Sequence, residues 1–482
     1  MNFFGKTIKG AFTVVLCVVA VVIVAVIAII IAANVTQSPD RYAATDQQPA
    51  SPQYVQTKVE PAPEPEPERV PEPEQEPESV SEPEQEQAPE QEQALEQEQE
   101  PEQTPETETT PDQSAPSNNN IPPVDTTALS GNMQSAIDRI AEKYSAIGVQ
   151  VAVINNGEVA GAYNYGYATK GTDPMTADTK IRIASLSKVI LAMVVMRLTE
   201  LAELDIDTDI GEYWGADIRN PNHKDTPITM RYILSHTSSI RVYDYGFAAD
   251  GELIRSRFLD GSCFVRSTPG AIGSWNYNNY AFASLGITVE VAMDETVNSL
   301  AKRLLFDPLG IDAAFGSGSI ADTDKIATLY TNGGGVGRSA DAQRRTLGST
   351  YPGERGDEFP GGLTISAYDY AKLVAVLANG GGYGGVRVLS PESVALMESS
   401  QGRTGGFEQC LPMRRRTNLF GEEVVFYHTG SNYGVFSLAS YNPVSRNGVV
   451  VLTTGAPGTR DSNDIYAICA EISAYVYAEV RD

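Results

Sequence analysis

The sequence predicts an α+β domain: an antiparallel sheet flanked by N- and C-terminal helices, with an inserted, mostly helical lobe. Three observations point there. Alternating apolar stretches occur near both ends of the folded part, at Gly148–Ile154 and Glu158–Ala168 and again at Val435–Tyr441 and Val449–Thr454. Helical spacing lies just outside them, at Asn132–Tyr144 and Ser462–Val480. Between about residues 185 and 400, helical segments alternate with Gly- and Pro-rich loops. Chain ends that pair into one sheet around such an insertion make two lobes with a cleft between them.

Ahead of this domain the composition changes twice. Residues 11–33 are an apolar run of 23 residues in which only Thr13 is polar, preceded by Lys6 and Lys9. About 20 apolar residues span a bilayer as a helix, whereas the apolar part of a cleaved signal peptide is about 7–15 long. The run therefore predicts a single-pass transmembrane signal anchor, with residues 1–10 cytoplasmic and the rest outside the cell membrane. Residues 34–128 are rich in Pro, Glu and Gln, with repeats such as P-E-P-E-P-E. They offer almost nothing to bury, so this linker is predicted to be disordered and extended. Fully polyproline-like, its 95 residues would reach on the order of 300 Å at ~3.1 Å per residue. The folded domain is assigned to 129–482.

Charge follows the same division. The formal charge is −27, but residues 61–110 carry 18 Glu against one Arg, which leaves only −10 for everything else. The longest basic cluster is Arg414-Arg415-Arg416, read as a solvated loop, and no nucleic-acid partner is indicated. The chain has four cysteines and three histidines without metal-type spacing, so no metal and no cofactor is expected. A bridge between Cys263 and Cys410 is left open.

Within the domain, Asn155-Asn156-Gly157 reads as a hairpin turn. Helices are expected at Met230–Ser235, Asn279–Val291, Val297–Leu305, Ser366–Asn379 and Ser390–Ser399, and the closing helix is amphipathic through Ile465, Ile468, Ile472 and Val476. The segment from Ile183 to about Leu204 is apolar on nearly every side, as the central helix of a sizeable domain would be. Ser185 stands at its start and Lys188 one turn later on the same face. An amine beside a hydroxyl at a helix N-terminus is a workable nucleophile; a plain helix-capping Ser and a solvated Lys is the bland alternative.

Three further stretches bear on that choice: Ser235-His236-Thr237-Ser238, Tyr277-Asn278-Asn279 after Pro269-Gly270, and His428-Thr429-Gly430-Ser431 just before the strand at Val435. In the order S-x-x-K, S-H-T-S, Y-x-N and H-T-G they resemble the serine β-lactamase and penicillin-binding-protein superfamily, class C-like branch, over about residues 130–480. Phe306-Asp307-Pro308-Leu309-Gly310 and Pro360-Gly361-Gly362-Leu363 are similar to that family too.

The resemblance implies the β-lactamase/transpeptidase-like fold and an acyl-enzyme on Ser185. Lys188 and Tyr277 are then the candidate bases, and Asn279, His428, Thr429, Gly430 and Ser431 form the substrate-binding set. The backbone N–H groups of Ser185 and Ser431 would hold the oxyanion. Expected substrates are peptidoglycan-type D-amino-acid peptides or small esters; the oligomeric state is left open. The alternatives are a true β-lactamase and a penicillin-binding sensor that does not turn over. His428 stands where β-lactamases usually carry Lys, which weakens the β-lactamase alternative. Were it to face a substrate carboxylate, its charge would fade as pH rises through ~6.5. His236 is expected to brace a helix end, and His223 to lie at the surface.

Overall fold

The computed structural model describes residues 131–242 and 250–481. The predicted cytoplasmic segment 1–10, anchor 11–33 and linker 34–128 lie outside these residues. Among the described residues no helix is long and apolar enough to cross a membrane.

A nine-stranded antiparallel sheet forms the backbone of the domain. Its N-terminal strands are β1 (Gly148–Asn155), β2 (Glu158–Thr169) and the short β3 (Asp173–Pro174). The C-terminal part of the chain adds β4 (Gly402–Thr404), β5 (Phe407–Gln409), β6 (Arg414–Leu419), β7 (Glu422–Asn432), β8 (Val435–Tyr441) and β9 (Gly448–Thr454). The spatial order is β4-β5-β6-β7-β8-β9-β1-β2-β3, so the two chain ends meet where β1 pairs with β9, Val151 opposite Val451. At the β1–β2 turn Asn156 and Gly157 both take positive φ (50° and 85°), as a tight hairpin of this twist requires.

The central strands are covered on both faces, and residue alternation sorts their side chains. Val149, Val151 and Val153 of β1 join Val449 and Val451 of β9 in one core, under α1 (Gly131–Lys143) and the C-terminal helix α5 (Ala467–Arg481). Ala152, Ile154, Val450 and Leu452 point the other way, into the larger core shared with α2 (Ser187–Glu200), α3 (Asn279–Met293) and α4 (Ala367–Ala378). With both faces buried, β9 reads Gly-Val-Val-Val-Leu-Thr-Thr rather than alternating.

Several expectations need correction. The closing helix begins at Ala467 rather than Ser462, because Asp461 accepts from the backbone N–H of Asn463 and Ile465 and Asp464 takes φ 62°. That is a side-chain-bonded turn, which competes with helix. Arg414-Arg415-Arg416 is not a solvated loop but the start of β6; His428-Thr429-Gly430-Ser431 lies just before the strand at Val435, as expected, and itself belongs to β7. Cys263 and Cys410 form no bridge: both are buried free thiols, each donating to a carbonyl, of Arg257 and Glu398 respectively.

Candidate active site

Ser185 sits in a single 3₁₀ turn, Ala184–Leu186, just before α2. The turn is held on three sides. Ile183 N–H donates to the Leu363 carbonyl, Ser437 Oγ to the Ile183 carbonyl (2.8 Å) and Tyr370 Oη to the Leu186 carbonyl (3.0 Å). Ala184 is forced to φ 55°, a conformation that costs a non-glycine residue about 1–3 kcal/mol and persists only where surroundings impose it. The result is a half-buried Ser185 hydroxyl facing away from the core, while Ser187, two residues on, is fully buried. Ser187 Oγ donates to the Ala184 carbonyl and accepts from Leu363 N–H, so it splints the turn.

Lys188 is 0% exposed, the opposite of a lysine reaching for solvent. Its Nζ faces three oxygens: Ser185 Oγ at 3.2 Å, Asn279 Oδ1 at 2.8 Å and the Pro360 carbonyl at 2.6 Å. Three acceptors match the three N–H donors of an ammonium. The Tyr277 ring centroid lies 4.9 Å from the same nitrogen.

Tyr277 and Asn279 come from the start of α3. Asn278 is its N-cap, its side chain accepting from Ala281 N–H at 3.0 Å. Ser and Asn cap helices about equally well, so Asn at 278 preserves what a Ser there would do. The tyrosine segment is fixed from two sides. Trp275 Nε1 donates to Gln409 Oε1 (2.9 Å), and the His236 carbonyl accepts from Asn276 N–H (2.8 Å). His236 is buried, and its ring lies 4.5 Å from that of Tyr277 and 5.0 Å from that of Phe282. Burial first, then the charges of Lys188 and Arg414, holds its imidazole well below the ordinary value. It is a neutral brace, as expected. His223 is half-buried and bonded to the Arg266 carbonyl.

β7 supplies the other wall. An added Cβ at Gly430 would stand 2.9 Å from Ser185 N and 2.8 Å from the Ile183 carbonyl oxygen, so only glycine lets the strand approach the serine turn this closely. Ser431 follows, exposed, and Thr429 is half-buried. His428, by contrast, is 2% exposed, and its Nδ1 is 2.8 Å from the Thr429 carbonyl, to which it donates. Burial, reinforced by the nearby charges of Arg414 and Lys188, lowers its pKa well below 6.5. This disfavours the imidazolium, and with it a His428 charge that meets a substrate carboxylate near neutral pH.

The cation at that end of the site is Arg414, which the sequence reading missed. It stands opposite Tyr427 on the neighbouring strand, and its guanidinium carbon lies 6.0 Å from the Tyr277 ring centroid and 4.6 Å from that of Phe407. Among the described residues no carboxylate pairs with it; Arg415, next along, is taken by Glu408. The signal was present: in β6, Arg414 and Arg416 share one face and Arg415 the other.

Residues 133–471 match the beta-lactamase family. The chain belongs to that family. It is 25% identical over 341 residues to penicillin-binding protein 4 of Amycolatopsis lactamdurans, covering 69% of this chain and 87% of that protein. It is 27% identical over 229 residues to esterase EstB of Burkholderia gladioli, covering 44% of this chain but only 57% of the esterase. A class C beta-lactamase from Rhodobacter sphaeroides shares the fold, with TM-score 0.55 and 18% identity over 73% of this chain and all of that one.

Proposed function

We propose that this serine hydrolase is a membrane-anchored, extracytoplasmic carboxypeptidase acting through an acyl-enzyme on Ser185, on D-amino-acid peptides that end in a free carboxylate. The observation that carries the substrate class is Arg414, which has no acid partner among the described residues and stands beside Tyr277 and His428 midway along β7. The D-configuration rests on the family resemblance alone, and the anchor on the apolar run 11–33.

In this reading Ser185 Oγ attacks the carbonyl carbon and its proton passes to the base. Lys188 Nζ stands within hydrogen-bond distance of Ser185 Oγ, and in its neutral form it could take the proton itself. The other acceptor is Tyr277 as its phenolate, a form favoured by the cations Lys188 and Arg414 beside its ring and neutralised when it takes the proton. Oxygen charge in the tetrahedral intermediate falls to the backbone N–H groups of Ser185 and Ser431. The proton returns to the departing amine, and water entering by the same route releases the acyl group. Asn279, already fixed by Lys188, presents its amide N–H₂ to the substrate backbone.

The test is a panel of D-Ala-D-Ala peptides, nitrophenyl esters and β-lactams on the purified protein and on Arg414→Gln. The variant is expected to lose on the order of 10²-fold in kcat/KM on carboxylate-terminated peptides, the scale of a charge-assisted contact, and to keep its activity on neutral esters. Equal losses on both would remove the carboxylate-binding role. A pH series adds an independent check. Arginine stays charged and His428 stays neutral, so KM for the peptide should be flat between pH 6 and 8. A KM that climbs across that range would restore His428 as the charged partner.

A further inference from the structure

Just past the C-terminal end of β7 stands a second cation for which the described residues offer no acid partner. Tyr433 begins the β7–β8 turn, immediately after Asn432, with φ 51°. Two guanidinium carbons lie close to its ring, that of Arg182 at 5.9 Å and that of Arg338 at 5.0 Å. Their charges are spent differently. Arg182, buried three residues before Ser185, forms an ion pair with buried Glu358. Arg338, half-buried on the short strand Val336–Arg338, donates to Tyr433 Oη (2.9 Å) and to Thr346 Oγ1. Both are neutral hydroxyls, and its Nε–H is buried without a partner. Among the described residues no carboxylate reaches it, and an arginine has five N–H donors to satisfy.

The C-terminal half of β7 thus passes two such arginines, with its contact to the serine turn between them. Arg414 stands beside His428, Gly430 lies against Ser185 N, and Arg338 holds Tyr433. From Gly430 to Tyr433 is three residues, about 10 Å of extended chain. A peptide laid along β7 with its terminal carboxylate toward Arg414 carries its acyl part toward Tyr433.

Resting on the carboxypeptidase reading for its direction, we propose that Arg338, presented by Tyr433, forms an acyl-side subsite for a second carboxylate. The preferred substrate is then a dianionic peptide, with an acidic side chain two or three residues before the scissile bond. Tyr433 positions the guanidinium, while Arg182 also lies against the tyrosine ring and is itself neutralised by Glu358.

Two D-Ala-D-Ala peptides that differ only in that side chain, free acid in one and primary amide in the other, test this on the full chain. Both are also used to protect Ser185 from a fluorescent fluorophosphonate, a readout that needs no turnover. The wild type should favour the acid about tenfold in kcat/KM and in protection, the scale of one charge-assisted hydrogen bond. Arg338→Gln should remove the preference while leaving the amide peptide unchanged, and Arg338→Glu should invert it. Equal use of both peptides by the wild type overturns the subsite, as does a preference that survives in Arg338→Gln. Loss of both peptides alike in Arg338→Gln makes the residue a structural clamp and overturns it too. Carboxylate-dependent protection without hydrolysis of either peptide would leave the subsite standing and sink the carboxypeptidase reading. Hydrolysis without any acid preference would do the converse, and neither protection nor hydrolysis overturns both.

Discussion

Ser185→Ala is expected to abolish both turnover and covalent labelling by a fluorophosphonate or penicillin-type probe, whereas Ser187→Ala should keep labelling. The contrast follows from where each hydroxyl points. Ser187 is fully buried with both its bonding directions used inside the turn, while Ser185 is half-exposed beside Lys188 Nζ at 3.2 Å. Lys188→Met should cost nearly as much as losing the serine, on the order of several powers of ten in the acylation rate. It strips the donor from Asn279 Oδ1 and the Pro360 carbonyl together and removes one of the cations facing Tyr277. Because the two residues act as one unit, the double variant should be little worse than either single one. Rapid labelling of Lys188→Met would show that Ser185 is activated from elsewhere.

What the sequence could reveal of this site divides by physics rather than by position. Ser185 and Lys188 were legible because a short spacing on a helix start fixes which side chains meet; Tyr277 and Asn279 were expected beside them only through the family resemblance, and the structure brings all four together. The charge state of His428 was not legible. It depends on burial and on Arg414 and Lys188, which come from other parts of the chain. Arg414 itself was hidden in a basic triplet whose bland reading is a solvated loop; only the fold separates the three, placing Arg414 by the Tyr277 ring, Arg415 on Glu408 and Arg416 on Tyr427. The Pro360 carbonyl could not be foreseen at all, since a backbone oxygen leaves no mark in the residue order.

The fold shows the same division. β1, β2, β8 and β9 announce themselves by apolar alternation or by continuous apolar runs. β4, β5 and β6 do not: they are short or polar, at one edge of the sheet, with few buried positions, and their strand character comes from pairing. Helix ends were read to within a few residues except where side chains rebuilt the turn, as Asp461 does ahead of α5. Val297–Leu305, expected as one helix, is a short α-helix that continues as a π-helix from Lys302 to Phe306. Local spacing alone does not separate those two forms.

Gly430→Ala is expected to slow acylation by about 10²- to 10³-fold on peptides and esters alike, the scale of removing one oxyanion donor. The added carbon would stand 2.4 Å from Ser437 Oγ, 2.8 Å from the Ile183 carbonyl oxygen and 2.9 Å from Ser185 N. None of these can swing aside cheaply. Ser437 Oγ is engaged by the Ile183 carbonyl, and the other two atoms belong to the backbone of a turn already held at Ala184 in a strained conformation. Relief has to come from β7 moving away from the serine turn, which separates the N–H groups of Ser185 and Ser431 from their common target. Overpacking of this kind costs about 1–3 kcal/mol of stability, so a thermal melt should show a lowered but cooperative transition. A folded Gly430→Ala protein that acylates within about threefold of wild type would show that the approach of β7 to Ser185 is a packing feature without weight in the chemistry; loss confined to carboxylate substrates would place its effect at Arg414 instead of at the oxyanion.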